Sequence, residues 1–241
     1  MKIPKKIYPD NIKDSIVEIK FNSVNPTEIN LGLFFNALDE SYFYSNRNNS
    51  PMILPDGRTL DFTINGGNLF YNDTIKFEFK NNSIIFNCMD SYKGWDDYIE
   101  NINKTLKQIF KTGVISSFIS VGVRYISEYP DVDLKNITKF KFGFGFPDIA
   151  SESFSFRTNF QHKGMKIALN LNSKVMLSDL ISKNEQIAKL SLIDIDIIKS
   201  DINCENVESL LEVVNQCHTM EKEFFFGLLN TDYFESLKKE F

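Results

Sequence analysis

Tryptophan occurs once in 241 residues, histidine twice and cysteine three times. Cys88, Cys204 and Cys217 are odd in number and widely spaced, with no CxxC pair. That argues against a disulfide framework and against a compact zinc site. It fits reduced thiols and a cytoplasmic location. The opening "MKIPKKIYPDNIKD" is charged but lacks the apolar core of a secretory signal. No stretch approaches the ~20 consecutive apolar residues of a membrane-spanning helix, so no membrane partner is expected. GxxxxGK[ST], HExxH and GxSxG are all missing. "GFGFPD" carries Gly143 and Gly145 among alternating phenylalanines and is not a dinucleotide fingerprint.

Positive charge is also scarce. Lys and Arg number 27 against 32 Asp and Glu, a net charge of −5. Proteins that grip nucleic acid draw much of their affinity from phosphate neutralisation and show a basic face or run. The short "KIPKK" at one end is the densest such run. Nucleic acid is therefore not indicated by charge. No cofactor is indicated by any motif. Another protein, or self-association, is the expected partner.

What is present is a globular balance, 42% hydrophobic and 24% charged, with 23 phenylalanines. "SIVEIKFNS" alternates, with Val17, Ile19 and Phe21 on one side, and reads as a half-buried strand. In "NPTEINLGLFFNALDESYF" Pro26 suits a first helical turn capped by Asn25 or Thr27, and Leu31, Phe34, Phe35 and Leu38 recur at helical spacing. A polar loop, "SNRNNSPMILPDGRT", follows. "TLDFTI" and "LFYN" around "NGGN", then "TIKFEFK" and "SIIFNCM" around Asn81–Asn82, predict hairpins. "GWDDYIENINKTLKQIFKTG" predicts a helix with an apolar stripe from Trp95 to Phe110, ending at Gly113. "SSFISVGVRYISEYP" predicts a strand closed by Pro130.

The later part repeats this order more simply. "ITKFKFGFGF" alternates, and Phe140, Phe142, Phe144 and Phe146 share a side. "SFSFRTNFQHKGMKIALNLNS" predicts a hairpin turning at Lys163–Gly164, and "AKLSLIDIDIIKSD" another strand. "NVESLLEVVNQCHTMEKEFFFGLL" predicts a long helix. "TDYFESLKKEF", capped by Thr231 or Asp232, predicts a last turn. The class is α+β: largely antiparallel sheet with amphipathic helices packed on one face. Two similar halves, each a meander plus a helix, are expected over 1–130 and 131–241, or one continuous domain.

Few polar residues invite chemistry. Arg124 lies inside an otherwise apolar strand beside Gly122, and a partly buried arginine needs a carboxylate or several carbonyls. It reads as a structural anchor, or as a receptor for a phosphate or carboxylate. Asp194 and Asp196 share one side of a strand, opposite Ile193, Ile195 and Ile197. They read as a solvated face, with metal binding as a weak alternative. His218 borders the apolar side of the last long helix, with Glu221 and Lys222 in reach. A Cys217–His218 nucleophile pair is geometrically poor, since adjacent helical side chains diverge. His162 sits beside a turn and reads as exposed. Asp96 and Asp97 open a helix, where they favour its dipole.

Taken together, "YPDNIKDSIVEIKF", "ISVGVRYIS" and "QCHTMEKEFFFGLLNTDYFESL" resemble a sporadically distributed prokaryotic family of uncharacterised proteins of about this length. Lys13–Asp14 stands where that family carries a proline, and Ser127 where it carries an asparagine. The resemblance implies importance for Glu18, Gly122, Arg124, Tyr125 and His218, and supplies no reaction. Its patchy distribution is associated with defence or toxin–antitoxin loci. The expected function is a non-enzymatic interaction or regulatory module. The alternatives are a small-molecule or nucleotide binder using Arg124, with Glu18, Tyr125 and His218 nearby, and a metal-dependent nuclease using Asp194 and Asp196. Glu18 is expected to lie against Arg124.

Overall fold

The computed structural model describes residues 2–46, 52–53, 59–60, 67–89, 92–141, 152–177 and 188–241. The strands are β1 (Lys6–Tyr8), β2 (Ile12–Asn22), β3 (Phe43–Asn46), β4 (Met52–Ile53), β5 (Thr59–Leu60), β6 (Asn68–Tyr71), β7 (Ile75–Lys80), β8 (Ser83–Cys88), β9 (Ser117–Pro130), β10 (Phe154–His162), β11 (Met165–Leu177), β12 (Ala188–Ser200) and β13 (Lys238–Glu240). The helices are α1 (Thr27–Ala37), α2 (Trp95–Phe110), α3 (Leu134–Ile137), α4 (Val207–Leu228) and α5 (Thr231–Ser236). The fold is α+β. A nine-stranded antiparallel sheet runs in the order β10-β11-β12-β9-β2-β8-β7-β6-β3, and β1–β13 and β4–β5 form small ribbons. Among the described residues no helix is long and apolar enough to cross a membrane.

The chain forms two compact units. The first holds residues 1–15, 122–200 and 213–241, and the second holds 16–121 and 201–212. Relative to the predicted halves, the first unit takes in 1–15 and 122–130, and the second takes in 201–212.

In the first unit the strands alternate over most of their length. Ile167, Leu169 and Leu171 face Ile197, Ile195 and Ile193 across β11 and β12, and all six are buried. Val123 and Tyr125 of β9 are buried as well. The helical cover is α4, whose Phe224 meets Phe160 at 5.6 Å between ring centroids and whose His218 meets Tyr125 at 5.6 Å. Each such fully buried large apolar side chain contributes about 1.5–3 kcal/mol. The β10–β11 turn falls at Lys163 (φ 49°) and Gly164 (φ 70°), the left-handed pair that a two-residue hairpin requires.

A bulge interrupts β11 between Asn172 and Val175, with Lys174 at φ 51°. It is pinned by hydroxyls. Lys174 N donates to Ser191 Oγ (2.8 Å), and Ser173 Oγ donates to Asp133 Oδ1 (3.1 Å), the residue that caps α3.

The second unit is built on phenylalanine. Phe77 and Phe79 of β7 face Phe86 and Ile84 of β8, and β8 in turn pairs Phe86 and Ile84 with Val17 and Ile19 of β2. Phe34 of α1 closes on Phe79 at 4.9 Å and on Phe21 at 6.3 Å. Helix α2 buries Tyr98, Ile102, Thr105, Leu106 and Ile109. Thr105 Oγ1 shares a 2.6 Å hydrogen bond with Tyr42 OH. Asn81 (φ 49°) and Asn82 (φ 56°) make the β7–β8 turn where the sequence placed it.

Several expectations are corrected. Helix α1 starts after Pro26 with no side-chain cap. It buries Asn30 and Phe34, while Phe35 is exposed. Asn230, not Thr231 or Asp232, caps α5 by accepting a hydrogen bond from Tyr233 N at 2.8 Å. The start of "ITKFKFGFGF" is helical, since Ile137 ends α3. Phe142, Phe144 and Phe146 lie outside the described residues, as do the "NGGN" turn up to Gly66 and most of the predicted polar loop. Strand β6 pairs with β3 and β7.

Candidate functional site

Arg124 is placed by alternation. On β9 its neighbours Val123 and Tyr125 turn toward the buried layer, so Arg124 takes the opposite, half-exposed face. The guanidinium meets Asp194 of β12 in a two-pronged pair. Nε donates to Oδ1 at 2.7 Å and Nη2 to Oδ2 at 2.8 Å. The Asp194 side chain is 12% exposed and that of Arg124 41%. The hydrogen bond to Asp194 raises the Arg124 pKa further above its ordinary range, and the charges of Asp196 and Asp14 add to that. Arg157 of β10 lies opposite Asn170 of β11, and Asn170 opposite Asp194. The row Arg157–Asn170–Asp194–Arg124 is therefore a polar ladder over one face of the first unit.

This arrangement bears on the predicted chemistry. Of the residues expected to meet, Glu18 belongs to the second unit and Arg124 to the first. Glu18 accepts a hydrogen bond from Ser83 Oγ at 2.7 Å and pairs with Lys20 at 3.5 Å. Asp194 supplies a carboxylate that Arg124 requires, and it takes two of the five guanidinium N–H groups. Asp194 and Asp196 do share a face, as the alternation predicts. Among the described residues, however, no group of three or more His, Cys, Asp or Glu side chains is arranged to hold a metal ion.

His218 and Glu221 belong to the other face. Both are buried on α4, at 8% and 5% exposure. Burial, with help from the Lys222 charge, pulls His218 down to about 3. Burial pushes Glu221 up to about 8 against the opposing pull of Lys222. Burial likewise pushes the Cys217 thiol up to about 12. At neutral pH the imidazole and the carboxyl are thus both uncharged, and the thiol is no nucleophile. His218 touches the Tyr125 ring, while Arg124 points away from both. Among the sequence candidates in the first unit, then, Tyr125 meets His218, and Arg124 meets Asp194 with Asp196 nearby.

The pattern did not single out Glu221 or the face of α1. Glu221 was legible as a carboxylate on the apolar side of a helix. Helix α1 buries Phe34 but turns other apolar residues outward. Asn30 is fully buried, accepting from Ser23 Oγ at 3.2 Å and donating to Asn25 O at 3.4 Å. Val24 just before the helix is 89% exposed, Ile29 53%, Phe35 58% and Leu33 36%. Ile29, Gly32 and Leu33 fall at helical spacing on one side, and Gly32 has open space beside it. Phe35 also contacts Tyr44 of β3 at 5.9 Å, a ring itself 36% exposed. No family model and no curated protein matches the chain.

Proposed function

We propose that the chain is a non-catalytic interaction module that binds another protein through the outward face of α1 in the second unit. The observation that carries this reading is the apolar content of that helix's outward side. The helix buries Phe34 and an asparagine and leaves Ile29, Leu33 and Phe35 in water, with Phe35 against Tyr44. Exposed apolar side chains do not stabilise the isolated chain, and several of them on one outward helix side suit a protein–protein contact surface. Gly32 lies on the same outward side with open space beside it, where the absence of a side chain lets a partner's backbone approach closely. Burial of Cys217, which pushes its thiol up, and the pairing of Arg124 with Asp194 support a non-catalytic role.

A photo-crosslinking residue placed at position 35, in the cells that make the protein, tests the reading. The expected result is one discrete adduct with a second protein, absent when the probe sits at exposed Lys111. Ile29→Glu should remove the adduct while leaving the unfolding midpoint unchanged. Equal labelling at positions 35 and 111 refutes it.

A further inference from the structure

The first unit ends at β10, whose outer edge meets no strand among the described residues. Edge strands of this length normally carry inward or outward charges, prolines or bulges that block further pairing. From Ser155 to Gln161, β10 reads SFRTNFQ, with Arg157 its one full charge and no proline. It pairs with β11 without a shift along its whole length. Among the described residues its edge is therefore regular and almost unguarded.

The hairpin geometry says which groups face outward. In a two-residue hairpin the flanking pair, here His162 and Met165, exchanges both main-chain hydrogen bonds. Bonded and non-bonded positions then alternate along the strand. Phe156, Thr158 and Phe160 thus spend their main-chain groups on β11. Ser155, Arg157, Asn159 and Gln161 direct theirs away from the sheet. The same four side chains lie on the polar face, and Phe156 and Phe160 on the apolar one.

We propose that two copies of this chain associate edge to edge through β10, antiparallel about a two-fold axis at Thr158. In that register Arg157 faces Asn159 of the second copy, and Ser155 faces its Gln161. Phe156 faces its Phe160, a residue 43% exposed in the single chain. The outward main-chain groups of the four polar residues meet in matched pairs, giving about eight hydrogen bonds. Other symmetric registers are worse. Centring on Arg157 opposes two guanidiniums, and centring on Phe160 sets Arg157 against Lys163; like charges directly opposite destabilise. Centring on Asn159 separates the phenylalanines, placing Phe156 against His162 and Phe160 against Thr158. The strand is self-complementary in charge and in ring placement at Thr158 alone among these. Strand β10 belongs to the first unit, so this pairing is independent of the α1 face.

Sedimentation equilibrium of the full chain across a concentration series tests this, with circular dichroism confirming that each variant is folded. The wild type is expected to dimerise reversibly. Asn159→Glu sets a carboxylate opposite Arg157 of the second copy at two symmetric places and should tighten the dimer about 2- to 30-fold. Asn159→Arg sets like charges there and should weaken it by a similar factor. A wild type that stays monomeric at every concentration overturns the proposal. So does a tightening or weakening shared by both substitutions. In the register centred on Asn159 the residue would face its own copy, and the glutamate would then weaken the dimer.

Discussion

Glu221 makes the most direct claim on stability. Its carboxyl is buried on α4 and held up at about 8, against 4.5 in an exposed chain. The folded state therefore keeps a proton that the unfolded state releases. Stability from this source is complete below pH 4.5 and declines as the pH rises toward 8. His218 acts at the other end, being held down at about 3 from 6.5. There the unfolded state takes up a proton that the folded state refuses, so stability is complete above pH 6.5 and declines as the pH falls toward 3. Between 4.5 and 6.5 the two slopes oppose each other and roughly cancel. Stability should crest in that window.

One pKa unit is worth about 1.36 kcal/mol. From pH 6.5 to 8 the wild type should lose about 2 kcal/mol through Glu221 alone, a large share of the ~5–15 kcal/mol available to a folded chain. Urea unfolding followed by circular dichroism at half-unit pH steps measures the slope. Glu221→Gln keeps the shape and removes the titration, so its stability should stay level across that interval. His218→Gln should leave the alkaline decline in place and extend it down toward pH 4.5, because nothing then offsets Glu221 between 4.5 and 6.5. A wild type with level stability from pH 6.5 to 8 refutes the reasoning, and so does a decline that persists in Glu221→Gln.

The Arg124–Asp194 pair gives a second prediction. Arg124→Ala strands a carboxylate that is 12% exposed and should cost about 1–3 kcal/mol in urea unfolding, toward the lower end because Arg124 itself is partly solvated. A double-alanine cycle with Asp194 should return at least ~0.5 kcal/mol of coupling, and strict additivity would show that the pair contributes nothing. At the β7–β8 turn, Asn82 holds φ 56°, where glycine is freer. Asn82→Gly should raise stability by up to about 1 kcal/mol in the same assay, and a loss would mean that the Asn82 side chain does more than permit the turn.

Most of the fold was legible because period-two and period-3.6 patterns report directly which side of an element is buried. Val17, Ile19 and Phe21 declared β2, and Ile193, Ile195 and Ile197 declared the inward side of β12, both as observed. The asparagine pair and Lys163–Gly164 declared their turns through the few residues that tolerate positive φ. Helix α1 was misread at the level of its faces. Its sequence, TEINLGLFFNA, is apolar on nearly every side, so spacing alone offers several stripes and selects none. What selects is tertiary. Phe34 fits between Phe21 and Phe79, and that rotation turns Asn30 inward, where Ser23 and Asn25 satisfy it.

The candidate site was harder for a related reason. Arg124 and Tyr125 are adjacent in the chain, and adjacency on a strand guarantees separation across the sheet. A Gly-Arg-Tyr run followed far downstream by a histidine suggests one cluster. In the fold it is two: an ion pair on the half-exposed face, and a ring contact in the buried layer beneath α4. The partner of Arg124 is 70 residues away and was visible only as one of two aspartates on a strand. Composition required some carboxylate for that guanidinium, yet identified none. Asp194 takes the role because β12 runs beside β9 and turns its even-numbered residues to the same face. Polar pairings of this kind depend on strand order, which hydrophobic periodicity does not encode. Burial, which it does encode, was correspondingly easier to read.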